Sequence, residues 1–178
     1  MKLYKIYSRA IGLLFALSLL CVGCENEDIL DINDLEISPS NPESVVIVEP
    51  DDGITSVNAL TKAINENGDA TYILRRDGVY YMEGKNVFKH NVVIKAENGA
   101  GNMPIIQPIC DAQGALNADM IRLEGSATFE NIYIIGKDAA TGNLMQRLFR
   151  IDESNVRLKF DNCFIDHCRN FCIRTDNV

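Results

Sequence analysis

The chain has no basic patch. Its 178 residues carry 17 Lys and Arg against 25 Asp and Glu, a net charge of −8, and no run of Lys or Arg in it is longer than the pair Arg75-Arg76. Proteins that grip nucleic acid neutralise phosphates with clustered cations, so nucleic acid is not an expected partner. Long apolar runs are also missing: the stretch from Ile11 to Leu20 is too short for a membrane span of about 20 residues. Beyond Ala70 the chain shows no helical periodicity, only short apolar runs broken by turn residues. The final residues, "FCIRTDNV", carry no pattern that would close a fold, and they suggest a truncated end.

What the front does contain points to export. Lys2, Lys5 and Arg9 precede the apolar run, which leads to "CVGC", Cys21 to Cys24. That order is a secretory signal. Gly23 before Cys24 resembles a bacterial lipobox, with Cys24 as the lipidated first residue after cleavage, although Cys21 stands where Leu is usual. Loss of the signal, residues 1–23, takes the 17 basic residues to 14 against 25 acidic ones, net −11. Residues 24–53, "CENEDILDINDLEISPSNPESVVIVEPDDG", read as an acidic tether that ends in a short strand at Val45–Val48. The expected location is the outer membrane or cell surface, with the membrane reached through the lipid.

From residue 54 the chain reads as one domain to residue 178. "SVNALTKAINENG" predicts a helix over 56–67, with Ser56 as its N-cap, Val57, Leu60 and Ile64 on one face and Gly68 as its stop. Nine strands follow, among them "TYIL", "VYYM", "NVVIKA" and "ATFENIYIIG". A repeat decides how they are arranged. "FENIYI" at 129–134 returns 31 residues later as "FDNCFI" at 160–165. Recurrence at that spacing means stacked units, and a parallel β-helix with coils of about 20–25 residues plus insertions fits it. Aligning Asn91, Asn131 and Asn162 predicts inward columns of Val92, Ile132 and Cys163 and of Ile94, Ile134 and Ile165. The asparagines would stack at a corner, where Asn tolerates a left-handed backbone. The helix would cover the exposed edge of the first coil.

Residues 54–82, with Gly68-Asp69 and Asp77-Gly78-Val79-Tyr80, resemble the entry to the pectate-lyase-like right-handed β-helices of the chondroitinase-B and alginate-lyase type. The lipoprotein front adds a resemblance to Bacteroidetes surface lipoproteins with β-helix domains. The resemblance covers roughly residues 54–178. It implies an all-β fold: a right-handed parallel β-helix with a short N-terminal capping helix. It also implies an acidic polysaccharide as substrate or ligand, with Ca²⁺ as a cofactor, but it maps no catalytic residue onto this sequence.

Three sets of side chains could carry chemistry. Arg150, Arg157, Lys159 and Arg174 are the available bases, and on strands such residues are ordinarily solvated surface. Cys163, His167, Cys168 and Cys172 form the densest cluster. They lack the Cys-x-x-Cys turn of a zinc site, and core packing or a disulfide such as Cys168–Cys172 are the alternatives. An outward column of Val93, Tyr133 and Phe164 offers aromatic faces to a sugar ring, unless inserted loops such as 137–147 cover it. The expected function is polysaccharide binding or processing. The alternative is a structural or adhesive module whose activity lies in sequence beyond Val178.

Overall fold

A computed structural model describes residues 44–176. The signal segment, Cys24 and most of the tether lie outside the described residues. In chain order the elements are β1 (Val45–Val48), α1 (Ala59–Asn67), β2 (Ala70–Leu74), β3 (Val79–Glu83), β4 (Asn86–Phe88), β5 (Val92–Ala96), β6 (Ile105–Ile109), β7 (Asp119–Leu123), β8 (Ala127–Glu130), β9 (Tyr133–Ile135), β10 (Met145–Ile151), β11 (Leu158–Asp161), β12 (Phe164–Asp166) and β13 (Cys168–Thr175). The strands form three parallel sheets, ordered β1-β2-β5-β8-β11, β3-β6-β9-β12 and β4-β7-β10-β13. From β2 onward the chain therefore visits the first, second and third sheets in strict rotation, four times over. The fold is mostly β with one short helix among the described residues.

The repeat read from the sequence is one circuit of this rotation, because Phe129 pairs with Phe160 and Ile134 with Ile165. The corner is also as expected at two positions. Asn131 (φ 59°) and Asn162 (φ 49°) adopt the left-handed backbone, and Asn162 Nδ2 donates to Asn131 Oδ1 at 2.6 Å. This corner splits the expected strand "ATFENIYIIG" into β8 and β9. Ile132 and Ile134 are fully buried, and Cys163 and Ile165 pack against the same core.

The third member of each column is corrected. Val92 and Ile94 lie in the first sheet, beside Ala127 and Phe129. Asn91 sits one corner earlier, where its Oδ1 accepts the Ser126 amide at 3.0 Å. An Asn-x-x-Ile phrase suits either corner, since both need a short polar turn before a buried position, so the phrase alone does not say which corner it marks. The columns that form are Ala70–Val92–Ala127–Leu158 and Tyr72–Ile94–Phe129–Phe160 in the first sheet, with Tyr80–Ile106–Ile134–Ile165 in the second.

At the N-terminal end, α1 contacts β1, β3 and β4, the first strand of each of the three sheets, and β2 beside β1. Leu60 and Ile64 are its buried apolar residues. The helix starts later than predicted. Asn58 is the N-cap, in a left-handed conformation (φ 62°) and without a side-chain cap bond. Its amide group is engaged elsewhere: Glu83 N donates to Asn58 Oδ1 at 2.8 Å, and Asn58 Nδ2 donates to Glu83 O at 3.2 Å. Together with Asn58 N to Tyr81 O and Asp51 N to Val79 O, both 2.9 Å, these bonds satisfy the open edge of β3. The helix's own first amide, Ala59 N, reaches Asp51 Oδ1 at 3.1 Å. Burial raises the Asp51 carboxyl above the ordinary range, against the pull of its backbone donors Tyr81 and Ala59. Ser56 belongs instead to a tight loop around Asp52, whose Oδ1 accepts the Ser56 amide at 2.8 Å. An unpaired strand edge recruits other chains, and here residues 51–58 and the helix occupy it.

The short motifs at this end have structural work to do. Gly68 closes the helix at φ 73°, its amide donating to Ile64 O. Asp69 Oδ1 accepts the Asn91 amide of the next circuit at 3.0 Å. Asp77 (φ 58°) turns the corner, and Tyr80, buried, receives the Arg75 amide on its hydroxyl at 2.7 Å while donating to Val48 O at 2.8 Å. Burial pushes the Tyr80 phenol up to about 12. Gly-Asp and Asp-Gly-x-Tyr are thus devices for joining circuits. Elsewhere the circuits approach so closely that only glycine fits: a β-carbon at Gly125 would lie 2.4 Å from His90 O, and one at Gly136 would lie 2.3 Å from His167 O.

Candidate functional site

The outer face of the second sheet carries a column of Val79, Ile105, Tyr133 and Phe164, one from each circuit. Each is placed there by alternation with the buried Tyr80, Ile106 and Ile134 and the half-buried Ile165. Tyr133 and Phe164 meet edge to face, ring centroids 6.0 Å apart and planes at 71°. Tyr133 is half-exposed, and Phe164 keeps 62% of its surface in solvent. Val93, expected in this column, is in the first sheet beside Thr71 and Thr128. Ile105 takes its place.

A shallow groove of about 540 Å³ runs over this column, lined by Asp77, Asn102, Met103, Ile105, Tyr133 and Phe164. One wall is the insertion 97–104 between β5 and β6. Asp77 pins it, because Asp77 Oδ1 accepts from Asn102 N at 3.0 Å and from Asn102 Nδ2 at 2.7 Å. At the other side the Tyr133 hydroxyl donates to Asp166 Oδ2 at 3.4 Å. Apolar ring surface with a rim of carboxylate and amide groups suits a ligand with alternating C–H faces and hydroxyls. The sequence pointed to Tyr133 and Phe164 but not, as groove residues, to Asp77, Asn102, Met103 or Ile105, which come from the two preceding circuits and share no pattern with the repeated phrase. The only available signal was the Gly-rich insertion "ENGAGN".

The loop 137–147 does not cover the rings. It leaves the second sheet at Gly136 and closes on itself through Asp138 N to Asn143 O at 2.9 Å. It then meets the insertion after β6, where Thr141 Oγ1 and Cys110 Sγ are 3.5 Å apart. Its direction follows from the topology, since it must lead to β10 in the third sheet.

The cysteine and histidine cluster divides. Cys163 Sγ donates to Phe129 O at 3.3 Å and packs against the core, where burial raises its thiol. His167 Nδ1 faces Asp166 Oδ2 at 2.9 Å. Cys168 and Cys172 face each other. Among the described residues no group of three or more His, Cys, Asp and Glu side chains is placed to hold a metal ion. Two of the candidate bases are tied into ion pairs. Arg150 meets Asp119, Asp152 and Asp176, and Arg174 meets Asp176 at 2.6 Å.

The chain matches no protein-family model, and no curated protein is significantly similar to it.

Proposed function

We propose that this chain is a surface lipoprotein whose domain is a right-handed parallel β-helix of the pectate-lyase-like type, and that it binds glycan in the groove over Tyr133 and Phe164. The strict rotation of strands through three parallel sheets supports the β-helix reading, as does the helix over the first circuit. The paired rings carry the functional reading: they are solvent-facing, in line along the stacking direction, and bordered by groups that accept hydroxyl protons. Scattered exposed apolar residues are ordinary, but two adjoining aromatic rings in a groove mark a binding surface. Asp77 and Asp166, at the groove and beside it, are both acidic, which favours neutral sugar over uronate unless a cation such as Ca²⁺ bridges.

Tyr133→Ala tests the groove. Losing an aromatic face from a sugar contact forfeits about 1–1.5 kcal/mol, so retention on the preferred polysaccharide should weaken about tenfold while the unfolding midpoint barely moves. Affinity electrophoresis across neutral and acidic polysaccharides reads both strength and preference. Equal retention of the wild type and the variant on every polysaccharide removes this groove as the binding surface.

Anchoring is tested separately at Cys24. Cys24→Ser should move the protein from the membrane fraction to the soluble fraction and stop lipid incorporation. Continued processing and membrane recovery of that variant would show that Cys24 is not the anchor.

A further inference from the structure

We propose that Cys168 and Cys172 are a covalent modification site, joined by a disulfide within the single strand β13 that locks the register of the last circuit. In a regular strand, side chains four residues apart are separated by about 13 Å. Here the two sulfurs lie 2.7 Å apart. The backbone explains how. Met145 pairs with Cys168, but Arg147 pairs with Phe171, so β13 advances three residues while β10 advances two. The extra residue lies between the two cysteines, an irregularity of the β-bulge kind, and such an insertion bends its strand. Cys172 is solvent-exposed and Cys168 half-buried, so a reaction partner can reach the first, with the second behind it.

The reaction needs an oxidant, and a small-molecule or protein disulfide supplies it. The Cys172 thiol loses its proton to solvent and attacks one sulfur of the donor disulfide. A mixed disulfide forms and one donor thiolate leaves. The Cys168 thiol then loses its proton and displaces the second donor thiolate. The protein gives up two electrons and two protons, and the donor becomes two thiols. This step rests on the reading of residues 1–23 as an export signal, which would bring the chain to a compartment where such donors are found.

The bond would hold what the bulge sets. With the bulge in place, Arg174 stands opposite Arg150 and Ile173 opposite Phe149. Removing one residue of offset would turn every later side chain of β13 to the opposite face.

The experiment uses the full chain, fully reduced and then exposed to oxidised glutathione. After alkylation and proteolysis, the peptide spanning Cys168 and Cys172 should lose both alkyl marks and be lighter by two hydrogens, while Cys110 and Cys163 remain alkylated. Cys168→Ser should stall at a glutathione adduct on Cys172, and reduction of the wild type should lower the unfolding midpoint. Alkylation of both Cys168 and Cys172 after oxidation, or a persistent glutathione adduct on the wild type, overturns the proposal. The wild-type measurement decides this even where a serine variant folds poorly.

Discussion

Phe129→Ala should lower the free energy of unfolding by about 4 kcal/mol, among the larger effects available to one substitution in this domain. Phe129 has no exposed surface. It stacks on Phe160 of the next circuit, centroids 5.6 Å apart and planes at 23°. It also meets Phe149 of the third sheet edge to face at 5.4 Å. Phe149 and Phe160 close the triangle at 5.3 Å. Removing the central ring deletes contacts within a sheet and between sheets at once, and the flanking rings belong to strands whose hydrogen bonds prevent them from collapsing inward. The loss is then the transfer term for the ring plus a residual cavity. Urea titration should show a lower midpoint with an unchanged slope. A loss below about 1 kcal/mol would mean that the circuits relax around the gap, contrary to a close-packed interior.

That triangle also shows what the sequence could and could not reveal. Phe129 and Phe160 head the two copies of the repeated phrase, so their stacking was legible from spacing alone. Phe149 was not, because nothing in "LFRI" ties it to a strand twenty residues earlier. The same division holds along the chain. Period-2 alternation, the recurring phrase and the Asn corners gave the stacking of the last two circuits, since identical residues must face each other in a parallel stack. The first circuits escaped the alignment because insertions change the spacing between equivalent strands. Val92 lies 22 residues from its partner Ala70 and 35 from Ala127. The candidate groove was half legible: Tyr133 and Phe164 share the repeat, whereas Asp77, Asn102 and Met103 arrive from corners that have no common pattern. The helix starts later than its local pattern predicts because Asn58 serves the edge of β3 through long-range bonds, which local capping rules do not contain.

Asp119→Ala should cost about 3 kcal/mol, the scale expected when one member of a buried ion pair is removed and its partner stays behind. Asp119 opens β7 and is only 6% exposed. Arg147, directly opposite on β10, forms its shortest contact, and the Arg147 side chain is itself only 14% exposed. Arg122 and Arg150 reach the same carboxylate from 3.8 and 3.6 Å. The remaining acids continue the pattern: Asp152 lies 2.8 Å from Arg122 and 2.7 Å from Arg150, and Asp176 pairs with Arg150 and Arg174. Register explains the ladder. Arg122, Arg150 and Arg174 stand in one column, where three like charges repel unless carboxylates are interleaved. Arg150 and Arg174, which in the sequence resemble free bases, are therefore committed to holding β7, β10 and β13 in step. Deleting Asp119 leaves Arg147 without its counter-charge in a site that water reaches poorly. Asp119→Asn, which keeps the shape and one acceptor oxygen, should lose less than the alanine variant. Because the Asp119–Arg147 pair is shielded, raising the salt concentration should leave most of the difference between wild type and Asp119→Ala in place. Equal stability of the two proteins at low salt would show that solvent, not Asp119, balances the arginine column.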